Sequence, residues 1–212
     1  MRVLLMLALA LPGFAADACL TKVVDGSYGF LLWGTTTASG DPKPIASIGR
    51  VTFDGKGGAS GMSSVMFTGF LLGNPLTGTY EAATDCTAKW KFQDDSGNWQ
   101  NFSGKFTADG AHIKFEQTDP TAPRNGEMVR SPEKCGAEMV QNRRYSQGKS
   151  VIPGAAITVD SDCFASFQLG DDKFRGVIVD GGREILAIRS NPGPPLTARL
   201  IAVPPPTSPG RD

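Results

Sequence analysis

Ser47-Ile48-Gly49-Arg50-Val51-Thr52-Phe53, followed at once by Asp54-Gly55-Lys56-Gly57-Gly58, decides the fold class of this chain. Val51 and Phe53 fall on one side of an extended backbone and Arg50 and Thr52 on the other. That is the two-residue period of a strand with one covered face and one wet face. Asp54-Gly55 ends it with a hairpin signal, because a tight turn needs residues that tolerate positive φ. Lys56-Gly57-Gly58 widens the turn, and the return strand starts within Ala59 to Phe70.

The same punctuation recurs outward from this hairpin. Upstream, Ser27-Tyr28-Gly29-Phe30-Leu31-Leu32-Trp33 is apolar on both faces, as in a strand covered on both sides. Downstream, a strand opens at Gly78-Thr79-Tyr80 with Asp85-Cys86 at its far end. Lys89-Trp90-Lys91-Phe92-Gln93 then alternates up to the turn Asp94-Asp95-Ser96-Gly97. Trp99 to Thr107 and Ala111 to Thr118 read as a hairpin joined through Asp109-Gly110. With 26 Gly and 15 Pro, the chain suits many short strands and tight turns. The best helical stretch, Glu133 to Gln147, is short and weakly amphipathic. The expected fold is all-β, an antiparallel β-barrel or sandwich.

The second half repeats part of the first. Gly104-Lys105-Phe106-Thr107-Ala108-Asp109-Gly110-Ala111-His112-Ile113 aligns without a gap on Gly176-Val177-Ile178-Val179-Asp180-Gly181-Gly182-Arg183-Glu184-Ile185. Upstream, Gly78-Thr79-Tyr80…Asp85-Cys86 answers Gly154-Ala155-Ala156…Asp162-Cys163 with one residue inserted. The organisation expected is a first β repeat over 19–130 and a shortened second repeat over 131–203, packed on the first as one continuous β structure. A copy that short buries too little apolar area to stand alone. The cysteines Cys19, Cys86, Cys135 and Cys163 allow three pairings. The internal repeat favours Cys19–Cys86 with Cys135–Cys163.

The termini set the compartment. Arg2, the apolar run Val3 to Leu11, the breaker Pro12-Gly13 and the small residues Ala15-Ala16-Asp17-Ala18 have the order of a cleavable signal peptide over 1–18. Cleavage after Ala15 or after Ala18 satisfies the small-residue rule equally. A lipid anchor at Cys19 is the rival reading; Asp17 and the odd number of cysteines it would leave argue against it. A secreted or periplasmic, soluble product is expected, because the apolar run is shorter than the roughly 20 residues a span needs. Pro204-Pro205-Pro206 and Pro209-Gly210 mark 204–212 as a disordered tail. With 21 basic and 21 acidic residues the chain has no electrostatic footprint for nucleic acid.

Cys19…Gly26-Ser27-Tyr28-Gly29-Phe30, Ile48 to Gly58, Gly78-Thr79-Tyr80…Asp85-Cys86-Thr87 and Phe115-Glu116-Gln117-Thr118-Asp119-Pro120 together resemble secreted β-rich proteins of unknown function common in Acidobacteria. The resemblance covers Cys19 to about Arg130 and implies a source and a compartment but no activity. By analogy it implies a lipocalin-like or allene-oxide-cyclase-like barrel, a likeness of fold that does not fix function.

His112 is the only histidine, so any acid–base scheme with imidazole must use it. On its strand it shares a face with Lys114, Glu116 and Thr118, while Ile113 and Phe115 lie on the other. Alternation turns the polar face to solvent; were it the interior, His112 and Glu116 would form an acid–base pair at a barrel mouth. Asp85, Asp94, Asp95, Glu116 and Asp119 are candidates for a glycosidase pair, although Asp is favoured at turns for bonding its own backbone. Trp33, Trp90 and Trp99, with Tyr28 and Tyr80, make either a sugar- or lipid-binding platform or plain core. No metal site or cofactor is expected: there is no Cys-x-x-Cys and no dense oxygen-ligand loop. Asn101-Phe102-Ser103 matches a glycosylation sequon, read as incidental. The function expected first is non-enzymatic binding of a small apolar ligand or an envelope component. The alternatives are a barrel-mouth isomerase, cyclase or hydrolase using His112 and Glu116, and a structural or adhesive surface protein, so enzymatic and non-enzymatic readings both stand.

Overall fold

A computed structural model describes residues 19, 24–37, 40–119 and 124–204. The signal segment expected over 1–18, and the tail beyond Pro204, lie outside them.

The described chain is all-β. Strands β1 (Gly26–Thr36), β2 (Lys43–Phe53), β3 (Gly58–Phe67), β4 (Phe70–Ala82), β5 (Thr87–Gln93), β6 (Trp99–Phe106), β7 (His112–Gln117) and β8 (Arg124–Arg130) pair antiparallel in chain order. β8 returns to pair with β1, Tyr28 opposite Arg130, so the sheet closes into a barrel and has no free edge. The β2–β3 turn forms where the Asp-Gly signal lies. There the Asp54 carboxylate accepts the backbone N–H groups of Lys56 and Gly58 at 2.7 and 2.8 Å. Gly55 and Gly57, rather than Asp54, take positive φ (70° and 101°).

Inside the barrel, aromatic rings meet backbone bared by glycine. The Phe115 ring lies over Gly126 and the Phe30 ring over Gly49, each so close that a Cβ there would collide. Tyr28, Phe53 and Tyr80 pack edge-to-face at one end, and Trp90, Phe102 and Phe115 form a second cluster further along.

The remaining strands are β9 (Arg144–Gln147), β10 (Ser150–Pro153), β11 (Thr158–Val159), β12 (Phe164–Leu169), β13 (Asp172–Val179), β14 (Glu184–Arg189) and β15 (Thr197–Val203). They form a separate open sheet in the order β10-β9-β15-β14-β13-β12-β11. The expectation of one continuous β structure is therefore corrected: there are two sheets, each with its own core. The helical reading of 133–147 is also corrected. That stretch holds one short 3-10 turn, Ala137–Met139, and then strand β9. Its weak helical period yields to tertiary ties: Cys135 is bonded to Cys163, and the buried Tyr145 donates its hydroxyl to the Gly182 carbonyl.

The two sheets share registers. Phe102 opposite Gln117 reappears as Phe174 opposite Arg189, and His112 opposite Val129 as Glu184 opposite Ile201, all displaced by 72 positions. Tyr28 donates to the Gly110 carbonyl as Tyr145 does to that of Gly182. Cys86 and Cys163 both have positive φ, 66° and 67°. The disulfides are Cys19–Cys86 and Cys135–Cys163. Such bonds belong to an oxidising, non-cytoplasmic compartment.

The open sheet docks on the outer face of β1, β2 and β8. Leu31, Ala46, Ile48 and Val129 meet Phe164, Val177, Val179, Leu186 and Ile188. Arg50, on the face expected to be wet, instead stitches the junction: its guanidinium donates to the carbonyls of Pro132 (2.7 Å) and Glu133 (3.0 Å). The Ser131 hydroxyl donates to the Ile178 carbonyl at 2.8 Å, and Arg199 pairs with Glu184 and Glu127. No helix among the described residues is long and apolar enough to cross a membrane.

Candidate functional site

The two ends of the barrel differ in what fills them. At one, Cys19, Val24, Tyr28, Phe53, Tyr80, Phe106 and Ile113 pack solidly. Toward the other, β3 and β4 run on, and the smaller Ser63, Val65 and Asn74 stand on the wall among Phe67, Leu72 and Leu76. Small side chains on a wall of fixed curvature leave space, and here the space is a cavity of about 220 Å³. Phe30, Leu32, Phe92, Phe102, Phe115 and Met128 supply its apolar surface, with the Trp90 ring among them.

Thr36, Ser47, Ser63, Asn74, Asp94, Gln100 and Arg124 supply its polar lining. The Ser63 hydroxyl donates to the Asn74 carbonyl at 3.2 Å. Asp94 is committed to its own turn, one carboxylate oxygen accepting the N–H groups of Ser96 and Asn98 at 3.0 and 2.9 Å. Arg124, at the start of β8, is the one cation among the described lining residues. Its Nε donates to the Thr35 carbonyl at 3.3 Å. Burial lowers its pKa, opposed by the negative charge of Asp119. Asp119 itself is engaged elsewhere, accepting the Asn101 backbone and side-chain amides at 2.8 and 2.7 Å and the Gln117 amide at 2.8 Å. Burial works against the Asp119 charge, but those donors together hold its pKa below the ordinary value. Among the described residues no carboxylate oxygen lies within ion-pair distance of the Arg124 guanidinium. Among them, too, the buried Trp90 indole N–H has no acceptor and the Gln117 carbonyl oxygen no donor.

The candidates read from sequence are placed elsewhere. β7 turns Ile113, Phe115 and Gln117 inward and His112, Lys114 and Glu116 outward to solvent. His112 and Glu116 are four positions apart on that outer wall, roughly 13 Å at the usual strand rise, and neither lines the cavity. The structure does not bring them together. The aromatic residues do not form one platform: Tyr28, Tyr80 and Trp90 are interior, whereas Trp33 and Trp99 are 39% and 47% exposed outside. Asp85 and Asp160 are turn residues, Asp85 accepting the Thr87 hydroxyl at 2.6 Å and Asp160 the N–H of Phe164 at 2.8 Å. No group of three or more His, Cys, Asp or Glu among the described residues is arranged to hold a metal.

Arg124, Asn74 and Ser63 were not singled out by sequence reading. For Arg124 a signal exists: it shares strand parity with the inward Gly126 and Met128. The outer wall of β5 to β7 exposes Lys89, Lys91, Lys105, Lys114 and Glu116, unlike the apolar band of a membrane-spanning barrel. No protein-family model and no curated protein matches the chain.

Proposed function

We propose that this is a secreted or periplasmic, non-enzymatic binding protein whose barrel takes a small apolar ligand at its open end. The observation that carries the reading is the cavity of about 220 Å³ with an aromatic and aliphatic lining, set in a barrel solid at its other end. Ligand sites are concave, mostly apolar, and carry a few placed polar groups. The separation of His112 from Glu116 on the outer wall leaves the enzymatic alternative without a paired acid and base. The common registers at a 72-residue displacement support an internal duplication, in which the second copy gave up its own closure and serves to brace the first.

Trp90 provides the test. With Trp33 and Trp99 replaced by Phe, it is the only indole left of the chain's three. A neutral apolar probe, N-phenyl-1-naphthylamine, is expected to quench Trp90 saturably at one site per chain. Val65→Phe, which fills the cavity from β3, is expected to weaken that binding at an unchanged melting temperature. A linear, unsaturable response in the parent, or full binding by Val65→Phe, overturns the assignment.

A further inference from the structure

An apolar cavity wall is a costly place for a guanidinium unless the charge is used. Among the described residues Arg124 makes one hydrogen bond, a long one, through Nε to a backbone carbonyl. Arginine carries five N–H donors in a planar fork shaped to grip a carboxylate. At Arg124 the Nη groups of that fork meet no carboxylate among the described residues; the neighbouring Asp119 accepts instead from Asn101 and Gln117.

We propose that the cavity takes a small carboxylate amphiphile, its carboxylate on Arg124 and its apolar body against Phe30, Phe92, Phe102 and Phe115. The assignment rests on the ligand-binding reading above and names the class of ligand. Two features of the site limit that class. The cavity is about 220 Å³, which admits a small aromatic molecule or a short alkyl chain and excludes a two-chain lipid. Asp94 stands at the end of β5, three strands round the rim from Arg124, so a second negative charge on the ligand is repelled there.

The experiment uses the full mature protein with its disulfides formed. N-phenyl-1-naphthylamine is displaced by octanoate or by octanol, which share a chain and differ in the charged head. The parent is expected to bind octanoate about tenfold or more tightly than octanol, the scale of a charge-assisted hydrogen bond. Arg124→Gln is expected to bring the two affinities together, and Arg124→Lys to keep part of the preference, both at a melting temperature close to that of the parent. Equal affinities in the parent, or a preference that survives Arg124→Gln, overturn the carboxylate assignment while leaving the pocket standing. Absence of any binding, the naphthylamine included, removes the pocket reading and this assignment with it.

Discussion

Asp54, Asp85 and Asp109 sit where the chain turns and Asp172 opens β13 beside a turn, and each is held in its ionised form by a particular donor. The Lys56 backbone N–H is the main one for Asp54, the Thr87 hydroxyl for Asp85, the Thr107 hydroxyl for Asp109 and Arg189 for Asp172. Each has its folded pKa below the ordinary 3.8. A depressed carboxyl stabilises the fold fully above the unfolded pKa, and that stabilisation is lost as pH falls through the folded value. Glu184 has the opposite sign. Burial raises its pKa above 4.5 despite the Arg199 guanidinium beside it, so its contribution is present below 4.5 and lost as pH rises through the higher folded value. The melting temperature is therefore expected to fall as pH drops below about 4. Glu184→Gln should remove the small opposing trend just above pH 4.5. A melting temperature that stays flat down to about pH 2 would show that the turn carboxylates contribute nothing.

At the scale of strands, what could be read from sequence was what alternation and turn chemistry alone determine. β5 and β7 lie where period two put them, and β1 is buried on both faces, with Tyr28, Phe30 and Leu32 inward and Leu31 outward under the second sheet. Arg50 lies at the junction and not in open solvent, because period two separates faces without saying which face another sheet will cover. The helical reading of 133–147 failed because Tyr145 answers to Gly182, far away in sequence. Arg124 is not legible as a cavity residue because inward polar residues look like outward ones until the closure of β8 on β1 fixes the parity. Gly29 makes the same dependence testable. A Cβ there would meet Val179 at 2.5 Å and Val177 at 2.7 Å, so the docking of β13 on β1 requires its absence. Gly29→Val is expected to destabilise the protein by about 1–3 kcal/mol, the usual scale of overpacking, read as a shift in denaturant midpoint. A neutral Gly29→Val would mean that the two sheets are not pressed together at this point.

The whole molecule is two sheets with separate cores joined through a third cluster, and the cluster decides whether they melt together. If the open sheet unfolded alone, Leu31, Ile48, Met66 and Val129 on the barrel would lose their cover, as would Val177, Val179, Leu186 and Ile188 on the sheet. Side chains of this kind each cost about 1.5–3 kcal/mol to expose, which ties the fate of one sheet to the other. The disulfides lie on opposite sides of that junction. Cys19–Cys86 closes 67 positions within the barrel, and Cys135–Cys163 closes 28 in the linker and the open sheet. In the chain-entropy description these are worth about 4.4 and 3.6 kcal/mol respectively. Replacing Cys135 and Cys163 together by Ala should therefore lower the melting temperature of the entire protein, by roughly 7–14 °C for a chain of this size. Calorimetry should show one transition before and after the replacement, with Trp90 fluorescence in the barrel following the same curve. Two transitions, with the Trp90 signal unmoved, would mean that the barrel stands without its brace and that the apolar junction transmits nothing.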